Sequence, residues 1–240
     1  MKDFFKYMSA TVVGLIVFSL ITGVIGVMCV VGMIASESSA KDVSDNTVMV
    51  LKLSGMLNER SEETFMSQFG GNDTGVIGLD DVLSAIDKAK NNDKIKGIYI
   101  EVGMMAADSY ASLAAVRNAL LDFKKSGKWI IAYGDVYTQG NYYVASVADK
   151  VYLNPSGQID WHGISSQPIF LKDLMAKFGV KMQLAKVGTY KSAPEMFTAD
   201  KMSDANREQV TAYVNGIWQN VCKGVSESRK ISVQTLNSYA

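Results

Sequence analysis

One lysine is set apart in the stretch Val187-Gly188-Thr189-Tyr190-Lys191-Ser192-Ala193-Pro194, with small, apolar or uncharged residues around it and no acid until Glu195. A lysine serves as a general base only where its surroundings disfavour the ammonium form, and this run permits that. Lys191 is therefore the candidate proton donor and acceptor. A nucleophile to match it is not apparent. There is no G-x-S-x-G and no serine followed by paired glycines at a strand end. The sharp turn after the apolar run Trp129–Tyr133 holds Gln139, an amide that cannot attack. Ser192 adjoins Lys191, but neighbouring side chains seldom face each other, so a turn hydrogen bond is its expected part.

Other reactive types exclude more than they suggest. His162 is the one histidine, and nothing in the spacing brings it to a nucleophile, so it is expected to be a loop or cap residue. Ligand-rich metal spacings are missing, and no metal or other cofactor is expected. Cys29 and Cys222 lie far apart and form no C-x-x-C. Gly103, after a strand, offers a weak signal for a backbone N–H aimed at an oxyanion. Tyr137, Tyr142 and Tyr143 are expected to pack their rings rather than to build a binding surface. The formal charge is +0, with both signs interspersed beyond residue 36, which removes the electrostatic case for nucleic acid.

The elements that must position these residues begin with an anchor. Lys2 and Lys6 precede a charge-free run from Tyr7 to Ser36. The apolar stretch 10–35 exceeds the roughly 20 residues needed to cross a bilayer. With its basic flank first, residues 1–9 are expected in the cytoplasm and the rest outside it. Ser38-Ser39-Ala40 resembles a cleavage site, but the apolar run is too long for a removable signal, so an uncleaved anchor is expected. Residues 36–46 read as a tether and 47–240 as one domain.

Within that domain, Thr47–Leu53 reads as a strand and Ser54–Thr74 as a loop. Leu79, Val82, Leu83, Ile86 and Ala89 form one helix face ending near Asn91-Asn92. Ile95–Val102 is the next strand. Asp108 or Ser109 caps a helix striped by Leu113, Val116, Leu120 and Phe123 and stopped by Gly127. Trp129–Tyr133 is a strand closed by Gly134, followed by a turn and short helix over 135–146. Lys150–Leu153 is a strand stopped by Asn154-Pro155. Leu171, Leu174, Met175 and Phe178 mark another helix, and Met182–Val187 a strand delivering Lys191. Ser203 caps a last helix striped by Val210, Val214, Ile217, Val221 and Val225, after which no terminating element is apparent. Such alternation predicts an α/β fold on a mostly parallel sheet.

From about Thr47 onward the chain resembles the amino-terminal half of the long-form signal peptide peptidases, the SppA or protease IV family. The resemblance rests on Gly134-Asp135 through Tyr142-Tyr143-Val144-Ala145-Ser146, on Ala148–Gly157, and above all on Val187–Ala193. It implies a crotonase/Clp-protease-like spiral of ββα units behind one transmembrane helix. It also implies a serine-lysine dyad split between two tandem domains. Lys191 matches the lysine, and Gln139 occupies the position of the nucleophile, which is then none of these residues. The implied function is the lysine-bearing half of a membrane-anchored serine peptidase that degrades cleaved signal peptides and is inactive alone. Its partners would be apolar signal-peptide fragments, the bilayer, and further copies of the full-length protein in a homo-oligomer. The implied location is the bacterial inner membrane, single-pass, with the body on the periplasmic side. The 240 residues are then expected to be a piece of a longer chain. The alternative is a catalytically inert anchored subunit for binding or assembly, and a crotonase-like acyl-CoA enzyme is weaker, having no use for a membrane span.

Overall fold

The computed structural model describes residues 2–37, 43–61 and 75–240. They fall into two units, 1–44 and 45–240. The first is α1, Lys2–Glu37, a helix of 36 residues. At 1.5 Å per residue it is about 54 Å long, and from Asp3 to Gly32 it is long and apolar enough to cross a membrane. The cleavage-site look-alike Ser38-Ser39-Ala40, with the rest of 38–42 in the tether, and 62–74 of the expected loop lie outside the described residues.

The second unit is built on five strands: β1 (Thr47–Asn58), β2 (Val76–Gly78), β3 (Ile95–Ala107), β4 (Trp129–Tyr137) and β5 (Lys150–Ile159). They lie in the order β2-β1-β3-β4-β5, and every pairing is parallel. The α/β class expected from the sequence is the class found. Parallel neighbours need crossovers, supplied by α2 (Leu79–Asn91) between β2 and β3, α3 (Tyr110–Lys124) between β3 and β4, and α4 (Gln139–Ala145) between β4 and β5. Leu51 and Leu53 of β1, Ile98 and Ile100 of β3, and Ile130 and Ala132 of β4 are buried, as are Val82 and Ile86 of α2 and Leu113, Val116, Leu120 and Phe123 of α3. The sheet's other face shows Val50, Trp129, Tyr133 and Tyr152 to solvent.

Four strands run past their expected ends. Gly134 does not close β4: Val102 and Tyr137 side-chain atoms lie 2.9 and 3.1 Å from where its Cβ would be, so this glycine marks a close approach rather than a stop. Asn154-Pro155 does not end β5, which is an edge strand where a missing N–H need cost no ladder bond. β1 continues through a register shift after Leu53, where Gly55 has φ +87° and a Cβ would meet the Gly75 carbonyl oxygen at 2.0 Å. β3 follows it to Ala107.

Beyond β5 come α5 (Lys172–Lys177), α6 (Glu195–Thr198), α7 (Asp204–Arg229) and α8 (Val233–Ser238). The strand expected over Met182–Val187 is not formed. Strands need a paired edge, and residues 180–187 pair with none of the five and are exposed throughout. The expected inward face of α5 has no cover either, with Leu174 and Phe178 exposed. Where no terminating element was apparent, α8 caps itself through Ser232, whose Oγ accepts from the Thr235 N–H at 3.0 Å.

Candidate active site

Gln139 opens α4 directly after β4. Thr138 caps that helix, its Oγ1 accepting from the Asn141 N–H at 3.3 Å. The Gln139 side chain is 4% exposed and uses both ends of its amide. Nε2 donates to Tyr110 Oη at 2.8 Å and the Gly163 carbonyl at 3.1 Å. Oε1 accepts from the backbone N–H groups of Gly163 at 3.0 Å and His162 at 3.3 Å. Whatever sits at the head of α4 therefore positions the 162–163 loop. His162 is an exposed loop residue whose Nε2 lies 3.3 Å from Asp160 Oδ2. Gly103 lies within β3, one residue past its last pair with β4, and its carbonyl accepts from Asn141 Nδ2 at 2.6 Å.

Lys191 stands in an irregular turn that starts at Gly188, φ +102°. The Ser192 N–H donates to the Tyr190 carbonyl at 3.1 Å, and the Glu195 N–H to the Ser192 carbonyl at 2.9 Å. Tyr190 Oη donates to Glu208 Oε2 at 3.1 Å, tying the turn to α7. Lys191 is exposed and lines a groove of about 510 Å³ with Val187, which is 91% exposed, Lys186, Ser192, Pro194 and Gln209. Ser192 is the one serine in that wall. Among the described residues no hydrogen bond, ion pair or shared cavity wall joins Gln139 to Lys191. The groove can hold an apolar segment beside two amines; its wall carries no carboxylate.

Residues with no positioning role expected from the sequence do much of the positioning. Glu195 is buried, and its carboxylate accepts from Ser203 Oγ at 2.6 Å, the Ser203 N–H at 3.2 Å and Asn206 Nδ2 at 3.0 Å. These bonds, the Ser203 hydroxyl first, hold its carboxyl below the ordinary carboxylate range. Glu195 thus fastens the Lys191 turn to the start of α7. Arg117, 2% exposed, lies on the inward face of α3, four residues after Leu113. Its guanidinium donates to the Tyr143 carbonyl at 2.7 Å, Ser146 Oγ at 2.8 Å, Ser228 Oγ at 2.6 Å and the Gly224 carbonyl. It also lies 4.9 Å from the Tyr143 ring centroid. A charge on an apolar helix stripe was the signal that could have found it. The tyrosines pack: Tyr137, fully buried, donates to the Tyr152 carbonyl at 2.8 Å, and burial pushes its hydroxyl up to about 12. Tyr142 meets Tyr137 and Trp161 edge-on, at 6.1 and 5.9 Å between centroids.

The stretch containing both Gln139 and Lys191 matches the model of peptidase family S49, from residue 122 to 240. The chain is 40% identical over 158 residues to Protease 4 of Salmonella typhi, covering 66% of this chain and 26% of that protein. It is 33% identical over 214 residues to Protease 4 of Haemophilus influenzae, covering 85% and 35%. The chain thus spans between a quarter and about a third of the length of these relatives. The SppA-type resemblance read from the sequence is borne out. Among solved structures, an enoyl-CoA hydratase/isomerase family protein from Silicibacter pomeroyi matches at 12% identity with a TM-score of 0.34, over 82% of this chain and 94% of that one.

Proposed function

We propose that these residues are the lysine-bearing part of a membrane-anchored serine peptidase that degrades cleaved signal peptides. The observation that carries the reading is Lys191, lining a partly apolar groove, within the S49 stretch, whose one wall serine, Ser192, is its immediate sequence neighbour. The serine is then contributed by polypeptide other than these 240 residues. Its Oγ attacks the peptide carbonyl while the Lys191 amine takes its proton, and the proton then goes to the leaving amine as the C–N bond breaks. Water hydrolyses the resulting ester and restores the serine. α1 holds the body at the outer face of the bacterial inner membrane, where apolar peptides released into the bilayer are at hand, and full-length copies assemble into an oligomer.

The committed amide of Gln139 also suits a second reading, an anchored subunit that binds or assembles without cutting. One assay separates the two. In the intact polypeptide, Lys191→Ala lowers turnover of a fluorogenic apolar peptide amide by about 10²–10⁴-fold, while the 240 residues alone release no fluorophore. Undiminished turnover with normal assembly removes Lys191 from the chemistry, and no turnover by the intact parent polypeptide leaves the second reading.

A further inference from the structure

A cavity of about 550 Å³ lies where the end of β3, the first turn of α3, the head of α4 and the middle of α7 meet. Asn141 stands in its wall and is 0% exposed. Because Nδ2 donates to the Gly103 carbonyl, the amide cannot be turned over without setting two oxygens against each other. Its other end is therefore an oxygen. Among the described residues, Asn141 Oδ1 is the one buried side-chain oxygen or nitrogen without a hydrogen-bond partner. Buried acceptors are almost always satisfied, so one left bare in a cavity wall marks where a donor belongs.

The same cavity offers donors. Tyr110 and Ala111 begin α3 and line it, and the first N–H groups of a helix have no carbonyl partner within it. Ser109 caps only the Ser112 N–H. Between acceptor and donors the wall is apolar, with Met105, Leu113 and Ile217. The Ser109 and Thr138 hydroxyls are engaged as caps, and no lysine, arginine, histidine or cysteine lines the cavity. An ammonium would meet the positive end of α3; an anion would meet Asp108, the one acidic side chain in the wall. A neutral amide, donor on one side and acceptor on the other, answers both ends.

We propose that this cavity binds one peptide unit of an apolar segment and does not cleave it. The N–H of that unit donates to Asn141 Oδ1, its C=O accepts from the first turn of α3, and a flanking apolar side chain rests on Met105, Leu113 and Ile217. With the Ser109 and Thr138 hydroxyls engaged as caps and no lysine or cysteine in the wall, the peptide is held rather than cut. This site is separate from the Lys191 groove and does not depend on the chemistry assigned there.

The test is equilibrium binding to the full chain in lipid nanodiscs, read without turnover, so loss of hydrolysis in Lys191→Ala bears only on the other reading. The probe is a fluorophore-labelled Leu-Ala-Leu-Ala peptide blocked at both ends, followed by anisotropy, with each amide N-methylated in turn. One methylated position is expected to bind at least tenfold more weakly than the parent, and Asn141→Leu to erase that difference. Ala111→Trp, at an exposed position on the cavity wall, is expected to weaken the parent peptide at least tenfold with an unchanged Tm. Uniform affinity across the methylated series, or full affinity in a folded Ala111→Trp protein, overturns the site and leaves the Asn141 oxygen to a water molecule. Should Asn141→Leu fail to fold, the methylated series and Ala111→Trp decide alone.

Discussion

At the scale of single residues, Glu195 shows how a side chain outside the groove wall helps fix the turn that carries Lys191. Its carboxylate joins the 188–195 turn to the cap of α7, and its folded-state pKa lies below the ordinary 4.5. A depressed carboxylate stabilises the fold fully above its unfolded pKa and loses that contribution as pH falls through the folded value. Thermal unfolding followed from pH 7 downward is expected to weaken below about pH 4.5, with part of that acid-dependent loss absent in Glu195→Gln. Equal pH profiles for the two proteins would remove Glu195 from this role. Lys191 and Gln139 were singled out in the sequence by the motifs that carry the family resemblance. Glu195, Arg117 and Asn141 were not, since their roles are set by partners up to 111 residues away, which no local pattern carries.

At the scale of elements, Arg117 is the staple that fixes α4 and α7 to α3. Gly224 makes the contact possible: a Cβ there would meet the Tyr143 ring at 2.8 Å and Arg117 Nε at 3.0 Å. Arg117→Met keeps an unbranched stem but strands several buried acceptors. Denaturant unfolding is expected to show a loss of about 3 kcal/mol. Arg117→Lys should recover only part of it, because one ammonium cannot reproduce the planar fork. A loss under about 0.5 kcal/mol, the scale of a neutral surface change, would show the staple to be idle. Strand positions and the helices α2, α3 and α7 were legible because their apolar residues recur with the right period. Strand ends were misjudged where Gly134 and Asn154-Pro155 looked like stops, since whether a glycine or proline breaks a strand depends on which neighbour crowds it and whether the strand is at an edge. Met182–Val187 failed for a related reason: apolar composition proposes a strand, but a free edge must accept it.

At the scale of the molecule, two units are joined in sequence, a long apolar helix and an α/β body. Arginines in place of Val17 and Ile21 each carry a cost of about 2.5–3.5 kcal/mol at a bilayer centre. The double variant is expected to leave the membrane pellet under alkaline carbonate extraction while the parent stays; identical pellets would mean that α1 does not anchor the chain. The strand order has a consequence for how the body comes into being. β1 carries β2 on one side and β3 on the other, β4 lies on the far side of β3, and β5 on the far side of β4. No strand has to wedge between two that are already paired. A polypeptide emerging amino end first can therefore lay down its sheet one strand at a time, each arrival finding the previous edge vacant.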